Sequence, residues 1–345
     1  MAPIKNGRVL YNEFATGFPI PGKNTVYDTS QTIDLDTVPL NGGVLLKVLY
    51  LSVDPYLRFK MRDPKVEKNI PQFKLGEPIE SSGVGIVLRS ENPVYKAGDH
   101  IYIILCCRAH LHYIVWSADK QSILLENKEN IPWSLYIGVA GLPGQTAYCG
   151  WKKFAKFNKG DTFFITTAAG PVGATVVQLA KADGLRVIAS AGSKSKVDFV
   201  KSLGADVVFN YKETDTREVL AKEGPINLYW DHVGGNITDA VLENAARGLT
   251  IIVCGSISSY NNPSPMYRHN LIFERDVTIY GFMVTTIFVP YLADFYNEIP
   301  KAIASGKLKY REQITQGLEN FGQVLFDVQK GLNEGKAVIQ VAKDT

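Results

Sequence analysis

Over residues 1–130 the apolar positions come in short runs cut by turn residues, as in "GGVLLKVLYLSVDP", "GVGIVLRS", "AGDHIYIIL" and "HYIVWSADK". Runs of that length and spacing predict strands of a β-rich region. The closing segment, "ENFGQVLFDVQKGLNEGKAVIQVA", reads as a helix followed by one more strand. Between residues 131 and 300 the grammar changes. Apolar runs ("TFFIT", "RVIAS", "DVVFN", "NLYWD", "TIIVC", "TIYGF") are separated by segments with apolar residues at i, i+3 and i+4, the spacing of an amphipathic helix. "GATVVQLAKADG" and "SKVDFVKSLG" end at Gly184 and Gly204, where a left-handed C-terminal cap suits glycine. "TDAVLENAARG" repeats the scheme, with Thr238 as N-cap and Gly248 as stop. Six strands alternating with helices predict an α/β fold: a doubly wound parallel sheet over 131–300, inserted into a β-rich domain made of 1–130 plus 301–345.

Composition narrows the function classes. The chain of 345 residues is long enough for two domains. Its net charge of +3, with no Lys/Arg-rich stretch, argues against a nucleic-acid partner. No apolar run approaches the ~18 residues of a membrane span. "MAPIKNGRVLYNEF" lacks an apolar signal core and "VAKDT" lacks a lipidation or retention signal, so a cytoplasmic protein is expected. Cys106, Cys107, Cys149 and Cys254 show no framework spacing. Adjacent Cys106 and Cys107 are expected to be packed thiols in a reducing compartment.

The first strand of the parallel sheet runs into "TTAAGPVGATVVQLAK". In Gly170, Pro171, Val172 and Gly173 it has the order of a pyrophosphate turn. One glycine lets the backbone approach a phosphate, the other lets the helix pack on the sheet, and the helix N-terminus offers N–H groups. The first glycine of a full GxGxxG is missing, so a ligand-free βα turn stays open. At the end of the second strand, an NAD site would carry an acid for the ribose. Here stand Gly192, Ser193, Lys194 and Lys196, with no acid before Asp198. Lysine pairs with a 2′-phosphate where a carboxylate would repel it, so NADP is favoured over NAD. Tyr211 and Lys212 follow the third strand, placed for the adenine face or the same phosphate. No metal is expected: the cysteines form no group of four, and the close pair His110 and His112 has no evident third ligand.

These motifs resemble the medium-chain dehydrogenase/reductases, whose split, β-rich, GroES-like catalytic domain is interrupted by a Rossmann domain. Metal-dependent members carry Gly-His-Glu-x-x-Gly, its histidine a zinc ligand. Here Pro78-Ile79-Glu80 precedes Gly83, and Val53-Asp54 stands where a ligand cysteine would be. The resemblance is closer to the zinc-independent NADPH-dependent alkenal/alkenone double-bond reductases, the leukotriene B4 12-hydroxydehydrogenase/15-oxoprostaglandin reductase group. "SVDPYLRFKM", "GLPGQTAY", "AGPVG", "SAGSKSKVDFVKSLGAD", "FNYKE", "DHVGG", "VCGSISSYN", "YGFMV" and "GLNEGKAVI" fall in family order.

Carried over residue by residue, Gly170 to Gly173 resemble the pyrophosphate turn, Lys196 the 2′-phosphate lysine, and Tyr211 the tyrosine beside it. Cys254, Ser256, Ile257, Ser258 and Tyr260 resemble one segment beside the nicotinamide, and Phe282, Met283 and Val284 the other. Asn333 resembles a cofactor-reaching asparagine, and Tyr56 and Tyr260 the tyrosines flanking the substrate. Two residues depart from the pattern. His232 replaces the asparagine of "NVGG", which bears on a cofactor contact, and Ser82 replaces a tyrosine of plant members, implying a pocket without that aromatic wall. The implied activity is reduction of the C=C bond of α,β-unsaturated aldehydes or ketones. Hydride goes to the β-carbon, while the Tyr260 hydroxyl and the cofactor ribose hydroxyl hold the enolate. The α-carbon is then protonated. A quinone reductase and a catalytically idle NADPH-binding protein are the alternatives, and a homodimer joined through the sixth strand is the implied assembly.

Overall fold

The structure, a computed structural model, describes residues 2–65, 71–103, 110–117 and 119–344. Cys106 and Cys107 lie outside the described residues. The chain divides into two compact units, one of residues 1–138 and 312–345, the other Val139–Arg311.

The second unit is built on a parallel six-stranded sheet. In chain order its strands are Thr162–Ile165, Arg186–Ala191, Val207–Asn210, Ile226–Asp231, Ala245–Val253 and Thr278–Gly281. They lie side by side as 3-2-1-4-5-6, the Rossmann order. Phe163, Phe164, Ile165, Val187, Leu228, Trp230 and Ile252 are fully buried. A parallel sheet covered on both faces needs such continuous apolar strands. Helices Pro171–Ala182 and Lys194–Ser202 stop before Gly184 (φ +82°) and Gly204 (φ +94°), where the Cβ-free residue takes the left-handed turn.

The third expected helix is corrected. It spans Asn236–Glu243 with Gly235 as N-cap, and Ala245–Val253 is already strand. Thr238 lies inside the helix and donates its hydroxyl to Asp231 Oδ2 at 2.7 Å. Gly248 (φ +82°) lies within the strand, between the residues where its pairing with the fourth strand shifts register. "AAR" suits helix by propensity, but pairing to Ile226 claims it for the sheet.

The first unit centres on the nine-residue strand Val44–Ser52, paired antiparallel with Gly83–Ser90, Tyr113–Trp116 and Lys336–Gln340. A strand not read from the sequence, Glu312–Gln316, runs parallel to Lys336–Gln340 and joins it through helix Phe321–Lys330. Where Val44–Ser52 leaves the sheet, the chain turns into a 3-10 helix, Pro55–Met61.

Candidate functional site

In the second unit the expected cofactor residues collect at the C-terminal ends of the parallel strands. The first strand ends at Ile165, and two residues on Thr167 adopts φ +49°, an uncommon backbone for a β-branched residue. Gly170 N donates back to Thr167 O at 3.0 Å, and Pro171 opens the helix, where its missing N–H costs nothing. A Cβ on Gly173 would lie 2.5 Å from Thr167 O and 2.8 Å from Ala168 Cα. Only glycine lets the helix come this close to the turn. A Cβ on Gly170 would meet Thr167 O at 3.3 Å.

After the second strand, Ser193 Oγ accepts the Lys196 N–H at 3.3 Å and caps helix Lys194–Ser202. Lys194 is committed to Asp198 at 2.5 Å on the exposed surface, so it is the solvated lysine of the pair. The Tyr211 ring closes over Gly192, where a Cβ would lie 3.0 Å from both the ring and the hydroxyl. Burial raises the Tyr211 phenol above its ordinary range. Gly192, Ser193 and Tyr211 thus meet at one strand end, and Lys212 Nζ lies 6.0 Å from the Tyr211 ring centroid.

The loop after the fourth strand is organised by a residue that the sequence reading did not single out. Asp231, 2% exposed, accepts at Oδ1 from Tyr229 Oη (2.7 Å), Val233 N and Gly234 N (2.8 Å each), and at Oδ2 from Thr238 Oγ1. The signal was present as an acid followed by paired glycines and a threonine seven residues on. His232 beside it has both ring nitrogens engaged. Trp230 Nε1–H donates to Nε2 at 3.1 Å, so Nδ1 carries the proton and donates to Thr166 O at 2.8 Å. Burial lowers the His232 pKa to about 4. The imidazole is a neutral strut between the ends of the first and fourth strands.

The loop after the fifth strand is tied to the same place. Cys254 N and Gly255 N donate to Asp231 O, Ile257 N to His232 O, and Ser258 Oγ to Val233 O at 2.6 Å. Tyr260 is 7% exposed, and Ser256 N donates to its hydroxyl at 3.3 Å. Burial pushes the Cys254 thiol up to about 12, which removes thiolate chemistry. Phe282 packs on Trp230 with ring centroids 6.0 Å apart. Val284 is buried, whereas Met283 is 58% exposed.

Tyr56, Ser82 and Asn333 belong to the first unit. Tyr56, on the 3-10 helix, is half-buried against the core. Ser82 is fully buried, its carbonyl accepts from Ser52 N, and its hydroxyl has no partner among the described residues. Asn333 Nδ2 donates to Gly335 O at 2.7 Å. Ile79, at the position of a ligand in metal-dependent proteins of this pattern, is a fully buried core residue without a donor atom. Glu80 is bonded to Lys60 at 2.8 Å, and Asp54 to Lys336 at 2.8 Å. These residues do not fit a zinc site. Ser81 Oγ and His110 Nε2 lie 2.8 Å apart, and burial takes His110 down to about 3. Among the described residues no group of three or more His, Cys, Asp or Glu could hold a metal ion.

A 3-2-1-4-5-6 sheet inserted into a split β-rich unit, with a glycine turn at its first crossing, defines the class of medium-chain dehydrogenase/reductases. The family model described as zinc-binding dehydrogenase matches residues 171–304, and that of the N-terminal domain of oxidoreductase matches 28–120. A zinc-type alcohol dehydrogenase-like protein of Schizosaccharomyces pombe is 36% identical, over 99% of this chain and 100% of its own. A 2-alkenal reductase (NADP(+)-dependent) of Nicotiana tabacum is 35% identical over 99% of each. The crystal structure of CurA in complex with NADPH from Vibrio vulnificus superposes with a TM-score of 0.86 at 29% identity, covering 98% of this chain and 99% of that one. The chain belongs to the medium-chain dehydrogenase/reductase family, in its alkenal/enone reductase group.

Proposed function

We propose that this protein is a zinc-independent, NADPH-dependent reductase of the C=C bond of α,β-unsaturated aldehydes and ketones. The observation that carries the reading is the acid-free end of the second strand, where Gly192, the Ser193-capped turn bearing Lys196, and Tyr211 come together. Arrangement and residue types fit a 2′-phosphate, and the Gly170–Gly173 turn fits a pyrophosphate. The loops carrying Cys254 to Ser258 and Phe282 to Val284 would flank the nicotinamide, with Asn333 as a further contact. His232 holds the adjoining turn and keeps no ring nitrogen for the cofactor.

When bound, the reduced nicotinamide supplies the hydride that the β-carbon receives. The protein must orient the conjugated carbonyl and stabilise the negative charge that reaches its oxygen. A phenol hydroxyl does this without a Lewis acid, because enolate charge is delocalised and a hydrogen-bond donor in a water-poor site suffices. Tyr260 is assigned that role, and Tyr56 the placement of the substrate. Ser82, small where plant members carry tyrosine, leaves room for a broader substrate.

With NADPH and a medium-chain alkenal or alkenone, the expected product is the saturated carbonyl; an allylic alcohol as main product would refute the proposal. Tyr260→Phe should lower kcat at least tenfold while changing KM for NADPH less than twofold. Parent kinetics would remove Tyr260 from the mechanism. The assembly is assigned as a homodimer through the sixth strand, Thr278–Gly281. It ends the sheet and exposes Ile279 (41%), with Phe273 (74%) nearby in sequence.

A further inference from the structure

The first unit buries a lysine that the chemistry above does not use. Lys336 is 2% exposed, Asp54 7% and Ser52 fully buried. Lys336 Nζ donates to Asp54 Oδ1 at 2.8 Å and to Val53 O at 2.9 Å. The other carboxylate oxygen of Asp54 accepts from Ser52 Oγ. Glu312, opposite Lys336 in the parallel strand pair, is held by Ser134 Oγ at 2.9 Å.

Taking an ammonium and a carboxylate out of water is expensive, and apolar residues of similar volume are often at least as stable. What the pair supplies here is geometry. Val53 and Asp54 are the two residues between the end of strand Val44–Ser52 and the start of the 3-10 helix at Pro55. At that exit Val53 O has left the strand ladder, and the lysine takes over as its donor. Asp54 itself is the N-cap of the helix, yet its side chain makes no cap hydrogen bond; it is turned to Lys336 and Ser52 instead. The same helix is held elsewhere by Gln329 Nε2 to Pro55 O (2.9 Å), by Arg58 to the carbonyls of Ala15 and Gly17 (2.9 Å each), and by Lys60 to Glu80. Seven residues is long for a 3-10 helix, and this one carries Tyr56 at its second position.

We infer that Lys336, Asp54 and Ser52 are positioning residues that fix the start of the 3-10 helix and thereby the placement of Tyr56 against substrate. The inference rests on the reading of Tyr56 as a substrate contact. Its test compares the paired variant Lys336→Met/Asp54→Asn with Tyr56→Ala and the parent. Removing both charges together avoids stranding one of them. The paired variant should keep the parent's far-ultraviolet circular dichroism and its NADPH Kd within twofold, while kcat/KM for an enone falls tenfold or more. In protein labelled with fluorotyrosine, the resonance lost in Tyr56→Phe should shift in the paired variant while the others stay in place. A folded paired variant with parent enone kinetics and an unmoved Tyr56 resonance overturns the inference, provided Tyr56→Ala is impaired. Parent activity in Tyr56→Ala instead overturns the reading beneath it. If the paired variant does not fold, Ser52→Ala should lower enone kcat/KM at least threefold with unchanged NADPH affinity, and parent kinetics there also overturn the inference.

Discussion

Two histidines, His110 and His232, are held neutral by burial, with pKa values lowered to about 3 and about 4. An unfolded chain protonates both near the ordinary value of about 6.5, so below that pH the unfolded state binds more protons. The stabilisation from keeping them neutral is complete above pH 6.5. It declines as pH falls and is gone below the folded values, at about 1.4 kcal/mol per pH unit for each group. Unperturbed carboxylates stay ionised down to about pH 5, so the slope between pH 6.5 and 5 belongs mainly to these histidines. His112, also lowered by burial, adds to it, and Glu312, raised by burial, opposes it. Urea unfolding at steps across that range should show stability falling, and His232→Asn should flatten the slope. A slope equal to the parent's in that variant would refute the neutral strut. At this scale His232 could not be placed from sequence: "DHVGG" shows a histidine where asparagine was expected, but not that Trp230, two residues earlier, saturates it.

Elements differ in how much the chain revealed. The parallel sheet was readable because each strand carries a short apolar run and each of the first two crossover helices ends at a glycine. The strand Glu312–Gln316 was not, because "EQITQ" is polar and mostly exposed, so no apolar alternation marks it; its partner Lys336–Gln340 alone makes it a strand. The 3-10 helix Pro55–Met61 was missed for a related reason. Its Arg58 and Lys60 are buried through specific carbonyl and carboxylate partners, which no periodicity encodes. The glycine turn allows a sharp comparison. Gly173→Ala should destabilise the protein by about 1–3 kcal/mol, since its Cβ would strike backbone that cannot rotate away. Gly170→Ala, with its nearest contact at 3.3 Å and φ of −74°, should keep stability near the parent's while weakening NADPH binding. Equal thermal midpoints for the two variants would contradict the packing argument.

For the whole molecule, the proposed homodimer is tested by light scattering on the eluting protein. The expected mass is twice the 38.1 kDa of one chain, and Ile279→Lys at the exposed strand edge should shift it toward the single-chain value. A parent that elutes at 38.1 kDa would sink the assignment. The split domain has a consequence of another kind, for synthesis. Lys336 and Asp54 are 282 residues apart in the chain, and the strand carrying the lysine pairs with one complete by residue 52. At about 5–20 residues per second, the ribosome needs roughly a quarter to a whole minute to make the partner of that strand. The inserted unit holds all its own strands and is complete by residue 311, before the surrounding unit has its last strands, so it is free to fold while the surrounding sheet waits. A nascent chain stalled before residue 336 should therefore bind the NADPH analogue 2′-phospho-AMP, yet leave Val44–Ser52 without its late strand and open to chaperones.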